Sequence, residues 1–153
     1  MKRIASFEVN HNILEKGMYT SRIDGDAVTY DIRMRRPNKE DVISNAAIHT
    51  IEHLFATFVR NSEFSDKIIY FGPMGCRTGF YFIVRDSVTP DKAIKLTYDA
   101  FKFISQYEGD IPGVSEIECG NFREHSLEGA KLEAKNFYPV LENYTVEMLK
   151  YKQ

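Results

Sequence analysis

Residues Ser44 to Asn61 read SNAAIHTIEHLFATFVRN, and both the fold and the chemistry of the chain turn on whether they form a helix. No Pro or Gly interrupts them. Ser44 stands where an N-cap belongs, and Arg60 falls near the C-terminal end, where a cation suits the helix dipole. Ile48, Ile51, Leu54, Phe55, Phe58 and Val59 recur at helical spacing and define one apolar arc. His49, Glu52 and His53 fall on the other. With about 3.6 residues per turn, His49 and His53 face the same way and can grip one ion, with Glu52 beside it. H-x-x-E-H is the inverted form of the zinc-peptidase signature, read as two ligands and an acid/base carboxylate. The plain alternative is a solvated face carrying two incidental histidines. The neighbours on that face, Ala46 and Ala56, are small rather than charged, which points to an element or a ligand coming close.

Outward from this segment, Ala27 to Arg36 alternates Val28, Tyr30, Ile32 and Met34 against Thr29, Asp31, Arg33 and Arg35. That is the period of a half-buried strand, ended by Pro37-Asn38. Lys67 to Phe71 and Phe80 to Arg85 are two further strands, joined by Gly72-Pro73-Met74-Gly75-Cys76-Arg77-Thr78-Gly79, a loop whose glycines demand special backbone geometry. Helical spacing returns at Pro90 to Tyr107 and at Ser126 to Tyr138, the latter with Ser126 as a cap, and a short last helix is expected from Tyr144. With no repeat, linker or low-complexity tract, the expected architecture is one compact α+β domain spanning residues 1–153, a mainly antiparallel sheet packed against helices.

Composition narrows the function. The chain has 153 residues, enough for a real core without staples. A formal charge of -2 gives no basic footprint for nucleic acid, so no nucleic-acid partner is expected. No apolar run approaches the ~18 residues needed to cross a bilayer, and Glu8 breaks the one near the start, so neither a membrane partner nor an export signal is expected. Cys76 and Cys119 are the only cysteines, which argues for reduced thiols in the cytoplasm over a disulfide framework.

Two imidazoles leave a metal site incomplete, and a catalytic one needs a third protein ligand with one position open. Cys76, Cys119, His11 and His125 are candidates, alongside the carboxylates. Cys119 sits in a turn-like Glu118-Cys119-Gly120-Asn121, whereas Cys76 lies in a strand-connecting loop where backbone N–H groups and a nearby cation favour a thiolate. Spacing alone leaves open which of them binds metal.

Read together, His49-Thr50-Ile51-Glu52-His53, Gly72 through Tyr81 and Glu118-Cys119-Gly120 resemble the signatures of the S-ribosylhomocysteine lyase (LuxS) family. Ser6 through His11, Asp31-Ile32-Arg33 with Pro37-Asn38-Lys39, and His125 through Ala130 resemble its other blocks, in family order. The resemblance implies that His49, His53 and Cys119 ligate one divalent metal per subunit, Fe(II) in the cell, with Zn(II) or Co(II) able to replace it. It implies Cys76 and Glu52 as the acid/base pair, and Ser6, His11 and Arg33 as ribose contacts. It further implies a homodimer with its sites at the subunit interface, Ser6 and His11 being supplied across it. The substrate would be S-ribosylhomocysteine, and the products homocysteine and the autoinducer-2 precursor 4,5-dihydroxy-2,3-pentanedione. One departure stands out: the family reads Asp, an apolar residue and Ser before Pro-Met-Gly-Cys, whereas this chain has Tyr70-Phe71-Gly72. That bears on how the homocysteine end is held.

Two other functions fit parts of the pattern. An inverted-motif zinc metallopeptidase would use Glu52 to activate water and take a downstream carboxylate as third ligand, leaving the loop around Cys76 unexplained. A metal-stabilised binding module would close the shell with a fourth ligand such as His125 or His11.

Overall fold

In the computed structural model, which describes residues 1–153, helix α2 runs from Asn45–Arg60. Ser44 caps it, its Oγ accepting the Ala47 N–H at 3.2 Å. The apolar arc turns inward as its spacing dictates: Ile48, Ile51, Leu54, Phe55 and Val59 are buried, and Phe58 is half-buried against Phe103.

Four strands form one antiparallel sheet in the order β1-β2-β4-β3, with β1 at Gly17–Asp24, β2 at Ala27–Arg33, β3 at Ile68–Pro73 and β4 at Gly79–Arg85. β2 stops short of the expected Arg36 because the Met34 and Arg35 N–H groups both turn to the Thr78 carbonyl, at 2.9 and 3.0 Å. Gly79 is required where β4 meets β2, since a Cβ there would lie 2.0 Å from the Ile32 carbonyl oxygen. Strand β1 has no counterpart in the sequence expectations. Its register slips between Thr20 and Arg22, so a bulge breaks the alternation that would have marked it.

The outer sheet face also departs from expectation. Asp31 and Arg33, on the polar phase of β2, are 1% and 3% exposed, because the C-terminal Tyr151 stacks on Tyr19 and covers that end of the sheet. The inner face carries Val28, Tyr30, Ile32, Phe80, Phe82 and Val84 against α2, α3 (Pro90–Ser105) and α4 (Leu127–Phe137). Phe55 stacks on Phe71 at 3.7 Å and meets Phe82 and Phe101 at an angle, an aromatic knot that fixes α2 to the sheet. Ser126 caps α4 through the Gly129 N–H, as its position suggested. The expected last helix is a single 3-10 turn, Val146–Leu149, and a short α1 occupies Ala5–Glu8. Between α3 and α4, residues 106–126 carry no regular helix or strand, and they fold back over the polar face of α2.

Candidate metal centre

On that polar face the ligand atoms of His49, His53, Cys119 and His125 lie within 4.8 Å of one another. Cys119 Sγ is 3.3 Å from His49 Nε2 and 3.9 Å from His53 Nε2. These values bracket the roughly 3.6 Å that a tetrahedral ion imposes between nitrogen and sulfur ligands. The tautomers agree. His49 Nδ1 is 2.9 Å from the Glu124 carbonyl oxygen, and His53 Nδ1 is 2.8 Å from that of Pro112. A carbonyl only accepts, so each Nδ1 donates its hydrogen, and in the neutral ring Nε2 is then the atom with a lone pair, facing the sulfur. This donor set, two imidazoles and a thiol, fits Zn(II) or Fe(II) better than Mg(II) or Ca(II).

His125 joins the cluster in another way. Its ring stacks on His49 with centroids 3.8 Å apart and planes 25° from parallel, and it meets His53 edge-on. An ion lies in the plane of each imidazole that holds it, so two rings stacked this closely do not share one. Burial first, then the His49 and His53 rings, push the His125 imidazole down to about 4, which keeps it neutral. Its Nδ1 meets Thr50 Oγ1 at 2.9 Å, and Thr50 Oγ1 also accepts the Ser126 N–H at 2.9 Å. Buried Thr50 therefore fastens the His125 segment to α2.

A second cluster surrounds Cys76 in the β3–β4 turn. Cys76 Sγ is 3.0 Å from Thr78 Oγ1, which accepts a hydrogen bond from Arg33 Nη1 at 2.8 Å. Asp31 holds Arg33 through two bonds, from Nε at 3.1 Å and from Nη2 at 2.7 Å. Burial works against the Arg33 charge, but Asp31 outweighs it and holds the guanidinium above its ordinary value.

A family profile described as S-Ribosylhomocysteinase (LuxS) matches residues 4–147. The chain belongs to the LuxS family. Proteins named S-ribosylhomocysteine lyase are similar along their whole length: that of Clostridium acetobutylicum is 45% identical, covering 100% of both chains. Those of Borreliella burgdorferi and Phocaeicola vulgatus are 46% and 44% identical, covering 99% of this chain and 99% and 98% of theirs.

Among the residues singled out for LuxS-type chemistry, His49, His53 and Cys119 come together, and Arg33 is linked to Cys76 through Thr78. Glu52 is half-buried, one position before His53 on α2. Ser6 lines a groove of about 350 Å³ on the outer sheet face with Tyr70 and Tyr81, while His11 Nδ1 bonds locally to the Val9 carbonyl. No hydrogen bond of this chain ties Ser6 or His11 to either cluster. Thr50, Thr78 and Asp31 stand inside the quoted blocks without a role of their own, and Tyr151 and the carbonyls of Pro112 and Glu124 lie outside them. Pro112-Gly113 is legible as a turn, but nothing in it announces the His53 contact. In Tyr70-Phe71-Gly72, Tyr70 folds its ring over Gly72, where a Cβ would lie 2.0 Å from the Tyr70 hydroxyl.

Proposed function

We propose that the chain is a metal-dependent carbon–sulfur lyase that divides S-ribosylhomocysteine into homocysteine and 4,5-dihydroxy-2,3-pentanedione, a signalling precursor and a step in methyl-cycle recycling. The observation that carries this reading is the convergence of His49 Nε2, His53 Nε2 and Cys119 Sγ, in a chain whose full-length relatives are named S-ribosylhomocysteine lyase. These three residues would hold one divalent ion, Fe(II) in the cell or Zn(II) or Co(II) in its place. When bound, it supplies the Lewis acidity that polarises the sugar oxygens.

The remaining work falls to side chains. Sulfur leaves by β-elimination only after the sugar carbonyl has moved next to the carbon whose proton is lost. Each earlier shift removes a proton from carbon beside a carbonyl and returns one to the neighbouring carbon. Cys76 suits the carbon-bound protons, and Glu52 suits transfer among the oxygens and assistance to the elimination, each worth about 10²–10⁴-fold as a positioned acid/base. No electron acceptor and no water nucleophile is needed. Ser6, His11 and Arg33 would contact the ribose, with Ser6 and His11 donated by the partner of a homodimer. Exposed Ile4, Phe7, Ile23 and Tyr70 support such an interface. The free thiols of Cys76 and Cys119 suit the reducing cytoplasm.

Iron-loaded protein is expected to release free thiol from S-ribosylhomocysteine and to sediment as a dimer, and Cys76→Ala is expected to abolish release while retaining metal. Absence of thiol release from the unmutated, iron-loaded protein would reject the lyase, and peptide cleavage in its place would install the metallopeptidase.

A further inference from the structure

We propose that Thr78 is a positioning residue that aims the Cys76 sulfur, relaying the fixed orientation of the buried Asp31–Arg33 pair. The proposal rests on Cys76 as the proton carrier named above.

The direction of the hydrogen bonds follows from what each group is able to do. A guanidinium only donates, so at 2.8 Å Thr78 Oγ1 accepts from Arg33 Nη1 and keeps its own hydrogen for another partner. The Cys76 sulfur, at 3.0 Å, is the other partner of that hydroxyl, and as a thiolate it only accepts. Thr78 is 4% exposed, so a hydroxyl hydrogen without an acceptor would carry a desolvation cost, which the sulfur relieves. The donor is itself buried and held by its neighbours. Asp31 takes two of the Arg33 bonds, and the Tyr151 hydroxyl donates to Asp31 Oδ2 at 2.6 Å from beyond the residues matched to the family. Backbone geometry adds to the fixation. Arg77, between the two side chains, has φ 58°, a left-handed turn between Cys76 and Thr78. The Thr78 carbonyl anchors the turn by taking both the Met34 and Arg35 N–H groups. Thr78 thus joins a rigid pair in the sheet to a reactive sulfur in an exposed turn.

The test compares Thr78→Val, which keeps the shape and loses the hydroxyl, with Thr78→Ser, which keeps the hydroxyl and loses the methyl. Iodoacetamide alkylation at neutral pH is followed on the Cys76 peptide by mass spectrometry, which separates it from Cys119. Thr78→Val is expected to slow alkylation by about tenfold, the weight of one hydrogen bond to the thiolate that reacts. It is expected to lower kcat by a similar factor with KM little changed, while Thr78→Ser stays near the unmutated protein. A packing role predicts the reverse order, with Ser worse than Val, and that result, or Val equal to the unmutated protein, would overturn the proposal. If Thr78→Val fails to fold by circular dichroism, Ser against Ala gives the same contrast. Alkylation needs no substrate, so the aim of the Cys76 sulfur is decided separately from whether thiol is released from S-ribosylhomocysteine.

Discussion

The His53 ring lies against a residue with no side chain. Gly113 has φ +73°, and a Cβ there would sit 3.2 Å from His53 Nδ1, the atom that bonds the neighbouring Pro112 carbonyl. Gly113→Ala therefore meets a left-handed backbone penalty of about 1–2 kcal/mol and presses on an imidazole that faces Cys119. It is expected to weaken metal retention by roughly tenfold in chelator competition, an energy of about 1.4 kcal/mol. Legibility at this scale divides by the kind of group involved. His49, His53 and Glu52 are readable because their spacing alone puts them on one face of a helix. Thr78 is not, because its importance comes from Arg33, which reaches it from another strand. The carbonyls of Pro112 and Glu124 leave no trace in residue identity at all.

At the scale of elements, α2 is the most legible because cap, apolar arc and polar arc all agree. Loss of its cap in Ser44→Ala is expected to cost about 1 kcal/mol in urea unfolding. Thr50→Val is expected to cost more, about 1–3 kcal/mol, because it removes the partner of both the Ser126 N–H and His125 Nδ1, which are only partly open to water. The same unfolding curves check it, and a cost below that of Ser44→Ala would contradict the role of Thr50 as the fastening of α4 to α2. Strand β1 is illegible for the opposite reason to α2. A bulge at Ser21 shifts its phase, and burial of both Met18 and Tyr19 erases the contrast between its faces. Strand β2 shows its alternation clearly, but its polar phase gives no sign that Asp31 and Arg33 are covered by Tyr151, which lies far along the chain.

For the molecule as a whole, the tyrosines of this covered end predict an alkaline limit. Burial first, then Tyr144 and Asp31, push the Tyr19 phenol up to about 12, and burial and Asp31 also raise that of Tyr151. A phenol raised in the folded state stabilises it fully below the unfolded value near 10, and that contribution drains away as pH climbs through the folded value. Stability is thus expected to fall from about pH 10 toward pH 12, by an amount of the order of 3 kcal/mol for Tyr19. Tyr19→Phe is expected to flatten the decline, as read from melting temperature against pH.

The two imidazole–carbonyl bonds also hold backbone that no helix or strand secures. They clip the least regular stretch of the chain, residues 106–126, onto α2 through the same rings that face the sulfur of Cys119. With His49 and His53 as metal ligands, as proposed, chelation is expected to loosen this stretch locally. In limited proteolysis, cuts are expected to gather within this stretch after chelation and to vanish when Zn(II) is restored, while the sheet stays resistant throughout.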